Sequence, residues 1–170
     1  MARLGCKCGA DMTNTISPSN NKLNIYYIKE AKDAINSNPD IRLWDFYTGW
    51  DEKNNCNNNF QDRDEPVEYW YCTNCKRVYE VQSKSCGKIK KVYCLNEECS
   101  SDEIDFSSLT ELLVLTDTEM DELLFQNEML TLKEYLSSRT SIKTFISVDK
   151  KTVYVRNTNK SKTLVYLRED

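Results

Sequence analysis

Residues 69–81 read YWYCTNCKRVYEV, a Cys-x-x-Cys turn between two aromatic arms of high β-propensity. Such a turn places the thiols of Cys72 and Cys75 so that both can reach one tetrahedral ion, and the chain contains no histidine to complete the set. A four-sulfur site is closed and structural, whereas a catalytic zinc keeps an open position, commonly beside histidine or carboxylate. A redox Cys-x-x-Cys sits at a helix N-terminus, and strand-like flanks argue against that role here. Two pairs could supply the other ligands. Cys94 and Cys99 would give C-x2-C-x18-C-x4-C, with a wide second turn and no glycine to shape it. Cys6 and Cys8 lie far off in sequence, but Cys-Lys-Cys-Gly is a compact two-thiolate turn carrying the glycine it needs. The preferred ligands are therefore Cys6, Cys8, Cys72 and Cys75 around a structural Zn2+, clipping the N-terminus onto the β-rich centre. Cys56, Cys86, Cys94 and Cys99 are small core residues or exposed thiols, with a second shared metal as the alternative.

The 170 residues, 39% hydrophobic and 29% charged, suffice for one packed unit with a real core. The N-terminus lacks the apolar stretch of a signal peptide, and no run reaches the length of a membrane span. The expected location is cytoplasmic, where thiols serve as metal ligands or stay free. A net charge of −4 conceals a sharp asymmetry. Residues 102–134 carry ten acidic side chains and one basic, whereas residues 139–168 carry eight basic and only Asp149 against them.

Along the chain, Leu23–Ile28 has strand propensity, and residues 29–37 read as a short helix stopped by Asn38-Pro39. Asp40 is placed to cap a second short helix ending near Gly49. Residues 51–64 form an asparagine-rich loop, and three short strands follow between Tyr69 and Leu95. Leu109–Leu115 is an apolar run of ambiguous type. Residues 119–127 and 132–137 read as helices, capped by Asp117 or Thr118 and by Thr131, ahead of a terminal meander rich in Val, Thr and Tyr. The expected class is α+β: a zinc-ribbon-like β-rich part clipped by the four-cysteine site, central short helices and a C-terminal antiparallel β-meander. As domains this gives residues 1–100, with a helical insertion at about 29–64, and residues 101–170, an acidic helical segment plus the meander packed as one unit with the first.

CKCG at 6–9, TNTISPSNN at 13–21 and EYWYCTNCKRVYEV at 68–81 together resemble a zinc-ribbon arrangement over roughly residues 5–95. In overall layout the chain also resembles small bacterial immunity proteins. That resemblance implies a partner, a toxin made by the same cell, and a role in neutralising it.

No glycine-rich phosphate loop, nucleophile elbow or histidine base is present, so the chain reads as a non-enzyme. Nucleic-acid binding is the alternative. Lys76, Arg77, Lys84, Lys88, Lys90 and Lys91 surround the turn, and Tyr69, Trp70, Tyr71 and Tyr79 could stack on bases. A pI near 5.1 opposes it. An inhibitor of a nuclease-type toxin would use its acidic block against a basic cleft, with Asp117, Glu119, Asp121, Glu122 and Glu128 as contacts and Phe125 or Met129 as an apolar anchor.

Overall fold

The computed structural model describes residues 3–49, 67–82, 87–126, 129–139 and 141–169. A hairpin of β1 (Arg3–Gly5) and β2 (Asp11–Thr13) is followed by β3 (Lys22–Tyr27), α1 (Ile28–Ser37) and α2 (Leu43–Thr48). Then come β4 (Val67–Tyr71), β5 (Val78–Val81) and β6 (Ile89–Ser100). After a crossover through two short 3-10 turns, the chain forms β7 (Thr110–Thr116), α3 (Asp117–Gln126) and α4 (Leu132–Ser138). It ends in β8 (Ile142–Ile146), β9 (Thr152–Asn157) and β10 (Lys162–Glu169).

Strands β3 to β10 close into one antiparallel barrel of eight strands, which overturns the expected zinc-ribbon-like α+β class. Two four-stranded meanders, β3–β6 and β7–β10, meet along both edges. β3 pairs with β7 (Leu23 opposite Thr116), and β6 pairs with β10 (Lys162 opposite Ser100). Each meander alone would leave two unpaired edges, and mutual closure satisfies both rows of backbone groups. The barrel draws four strands from either side of residue 100. The arms of the Cys-x-x-Cys turn are thus staves of the barrel, not a free-standing ribbon.

The ambiguous apolar run is explained by burial on both faces. Leu112, Val114 and Thr116 of β7 line the barrel interior, while Leu113 and Leu115 face a helical layer with Tyr26, Phe46, Leu132 and Tyr135. With no solvated face the polar alternation of an ordinary strand disappears. The crossover lies over the outer wall, where Phe106 stacks 4.8 Å from Phe145 and Ser101 bonds the fully buried Thr163 at 3.0 Å. Two caps differ from expectation. Asp40 does not cap α2; Arg42 takes that position without a side-chain cap, and backbone bonds Leu43 N–H to Leu130 O and Leu132 N–H to Ile41 O fix the helix entry instead. For α3 the cap is Thr116, whose backbone N–H and hydroxyl reach Glu119 Oε2 while Glu119 N–H returns to its Oγ.

Candidate metal centre

The β1–β2 hairpin packs on the outer face of β4 and β5. Leu4 and Met12 meet Trp70, Tyr79 and Val81 in a buried cluster that also contains Cys6 and Cys72. The turn between β1 and β2 thereby delivers Cys6 and Cys8 onto the turn between β4 and β5. The Sγ atoms of Cys6, Cys8, Cys72 and Cys75 all lie within 4.8 Å of one another. Cys6 and Cys75 are 3.3 Å apart, and Cys8 and Cys72 are 3.7 Å apart. Bonds of about 2.3 Å at the tetrahedral angle set neighbouring sulfurs about 3.8 Å apart, so the quartet matches the size of a four-thiolate ion site.

Both turns share one construction. Cys6 N–H bonds Ala10 O at 2.8 Å and Gly9 N–H bonds Cys6 O at 2.9 Å. In the second turn, Lys76 N–H bonds Cys72 O at 2.9 Å and Cys72 N–H bonds Arg77 O at 2.9 Å. In each, the residue after the second cysteine takes positive φ, Gly9 at 88° and Lys76 at 65°. That kink aims backbone N–H groups at the sulfurs: Cys8 at Cys6, Ala10 at Cys8, Arg77 at Cys75. Amide dipoles thus surround the place where negative charge collects.

Side chains extend this shell. Lys7 N–H reaches Tyr79 Oη at 3.3 Å, which leaves the buried Tyr79 O–H free to donate to Cys6 Sγ at 3.0 Å. Asn74 Nδ2 donates to Cys8 Sγ and Arg77 Nη1 to Cys75 Sγ, each at 3.5 Å. These donors grade the thiols. Burial raises Cys6 to about 11, whereas Ala10 N–H and then the Asn74 amide lower Cys8 to about 6. For Cys75 burial pushes upward, but Arg77 outweighs it and the thiol lies below its ordinary value. Arg77 Nε also bonds Cys94 Sγ at 3.1 Å and Glu169 Oε1 at 3.2 Å, and Glu169 pairs with Lys7. Held first by the Cys94 thiol and then by Lys7, Glu169 falls to about 2. The end of β10 is thereby tied to the cysteine turns. Arg77 and Glu169 were missed as shell residues in the sequence, since 92 positions separate them.

The other expected residues are placed as follows. Cys94 and Cys99 lie on β6, and among the described residues only the quartet of Cys6, Cys8, Cys72 and Cys75 gathers as a metal-sized cluster. Cys56, Cys86, Lys84 and Glu128 fall outside the described residues. Asp117 accepts Ser19 N–H at 2.9 Å and pairs with Lys22 at 3.6 Å, and Glu119 serves the Thr116 cap. Asp121 is half-buried, Glu122 is exposed, and Phe125 and Met129 are 71% and 79% exposed. Of the aromatics considered for stacking, Trp70 and Tyr79 are buried under the hairpin, and Tyr69 and Tyr71 line the barrel interior.

Residues 2–98 match a family described as Domain of unknown function (DUF8617), a span that holds all four clustered cysteines and strands β1 to β5. No curated protein and no solved structure matches the chain. No helix among the described residues is long and apolar enough to cross a membrane.

Proposed function

The chain belongs to the DUF8617 family, and we propose that it is a non-catalytic, cytoplasmic binding protein with one structural zinc on Cys6, Cys8, Cys72 and Cys75. Its role in this reading is that of an immunity protein, which neutralises a toxin of the nuclease type by covering a basic cleft. Zinc suits the donor set because four sulfurs with N–H and O–H donors behind them favour a soft, redox-silent tetrahedral ion. The ion supplies rigidity, and the chain's own residues do the binding.

The observation that carries the partner reading is the exposed end of α3. Phe125 at that end and Met129 just beyond the helix are 71% and 79% exposed, and with the exposed Glu122 they belong to a segment with ten acidic side chains and one basic. An apolar anchor within an acidic surface fits a basic protein partner, because steering charges at the rim speed association while the anchor holds the complex. Asp117 and Glu119 belong to the fold's own hydrogen-bond network and act here through their field.

The immunity reading requires a gene for a large secreted protein directly upstream, and the experiment is co-expression with that protein's C-terminal domain. The pair should co-purify and growth should be rescued. Glu122→Lys should slow association most, and Phe125→Ala should hasten dissociation by about tenfold or more. Neither variant touches the zinc ligands. Unchanged affinity in both would refute this surface. The nucleic-acid reading lacks stacking partners, since its four aromatics are buried or face inward. A salt-sensitive mobility shift with oligonucleotides at low micromolar protein would nevertheless replace the inhibitor reading.

A further inference from the structure

The barrel is not filled by its own side chains. A cavity of about 310 Å³ runs through it, walled by residues such as Ile25, Val78, Val114, Ile146, Val153 and Val155. That is roughly twice the ~150 Å³ apolar cavity known to take up benzene, and so space for about a dozen ligand heavy atoms. Eight-stranded barrels are the size at which one small ligand can be held inside.

The wall also has a gap in its hydrogen bonding. β7 pairs with β8 only over Thr110–Leu112 against Thr144–Ile146, while the rest of β7 follows β3 and Ile142 and Lys143 pair with β9. Beyond Leu112 the two strands part. A second cavity, about 180 Å³, lies over this seam beside α1 and α4, and it shares Leu112, Val114, Arg139, Ile142 and Thr144 with the interior. The two spaces therefore share a wall at the β7–β8 seam.

The charge at that junction selects the ligand. Arg139 lines both cavities, with Nη1 on Tyr135 Oη at 2.8 Å and its guanidinium over the Tyr135 ring. Lys32 is exposed at the outer cavity, while Lys143 pairs with Glu111 at 3.7 Å. Glu119 also lines the interior cavity, but its Oε2 is occupied by Thr116. Among the described residues Arg139 has no carboxylate partner within ion-pair distance.

We propose that the barrel binds a medium-length apolar carboxylic acid, which enters at the β7–β8 seam with its carboxylate on Arg139 and its tail among the interior valines. A planar guanidinium with free N–H groups is the natural partner for a carboxylate, and the tail gains by leaving water. This proposal is independent of the zinc and of the α3 surface.

The probe is decanoate, twelve heavy atoms, titrated calorimetrically into the full-length zinc-loaded protein, with decanol as its neutral counterpart. Decanoate should saturate one site below millimolar concentration and bind about tenfold or more tighter than decanol, and Arg139→Gln should remove that difference. Val155→Trp should abolish binding of both. Since a filled barrel could also unfold, cross-peaks from decanoate protons to the Val114, Ile146 and Val155 methyls in the wild-type protein provide a second reading. No saturation at millimolar decanoate, or ligand contacts confined to surface methyls, would overturn the proposal. Equal affinity for acid and alcohol in both wild type and Arg139→Gln would overturn the assignment of Arg139.

Discussion

Cys8→Ser isolates the contribution of the metal more cleanly than any other substitution. Cys8 is exposed, so its replacement removes a ligand without opening a cavity, whereas Cys6 and Cys72 are buried in the hairpin cluster. With an ion bound, a bridge from Cys8 to Cys72 would close a loop of 64 residues. By the loop-entropy relation for a covalent cross-link, such a closure is worth about 4 kcal/mol at room temperature. Against a typical total of roughly 5–15 kcal/mol this is a large share. The barrel itself keeps its strand pairings, so the loss should be local first. The β1–β2 hairpin should lift, exposing Trp70 and Tyr79, which its packing now buries. The assay is zinc content by elemental analysis together with urea unfolding followed by tryptophan emission. The variant should retain less than one equivalent of zinc, lose up to about 4 kcal/mol, and shift its emission to the red. A strong chelator should reproduce that state in the wild type and do nothing more to the variant. Full zinc retention, or chelation without a change in stability, would refute the clip.

Other predictions follow from individual contacts. Tyr79→Phe removes the O–H donor to Cys6 and should weaken zinc affinity about 10- to 100-fold, measured by competition with a chromophoric chelator, while circular dichroism stays unchanged; unaltered affinity would show that hydroxyl to be a bystander. Gly9→Ala and Lys76→Gly should have opposite signs. Gly9 has positive φ with open space around its Cβ position, so alanine costs about 1–2 kcal/mol from backbone strain alone, while glycine at Lys76 relieves the same strain. Thermal melts of the zinc-bound proteins give both signs. Glu134 accepts Thr131 N–H at 3.0 Å, then its hydroxyl at 2.8 Å, and these bonds lower its pKa. Its contribution to α4 is therefore complete above the ordinary carboxylate range and is lost as pH falls through the lowered value. Glu134→Gln should flatten that part of the acid limb in a stability–pH curve, and an identical curve would remove the capping box from the account.

The cysteine quartet was legible because its chemistry is written in local turns: Cys-x-Cys-Gly and Cys-x-x-Cys each declare a two-thiolate loop before anything is known of the fold. The Thr131–Glu134 cap was legible for the same reason, its two partners being three positions apart. Barrel closure was not. Pairing of Leu23 with Thr116, or of Lys162 with Ser100, depends on register between strands some sixty to ninety positions apart, to which local propensity is blind. β7 concealed its type because two apolar layers cover it. The strands of the β1–β2 hairpin, three residues each, are too short for any period to show. Asp117 and Glu119 looked like free surface charge in the sequence, yet hydrogen bonds to Ser19 and Thr116 commit them to the fold.

The double seam of the barrel has a consequence for biosynthesis. All four cysteines of the quartet have been translated by residue 75, but the strand that seals β6 begins only at Lys162. At about 5–20 residues per second, the interval between the end of β6 and the start of β10 lasts roughly 3–12 seconds on the ribosome. During that time β3 can already pair with β7, but the outer edge of β6 stays unmated and competent to recruit strands from neighbouring nascent chains. Early zinc capture would fold the hairpin down over β4 and β5 and rigidify the half-built sheet while it waits. Metal supply in the cell should thus govern how much of the newly made protein reaches the closed barrel, beyond its effect on the stability of the finished molecule.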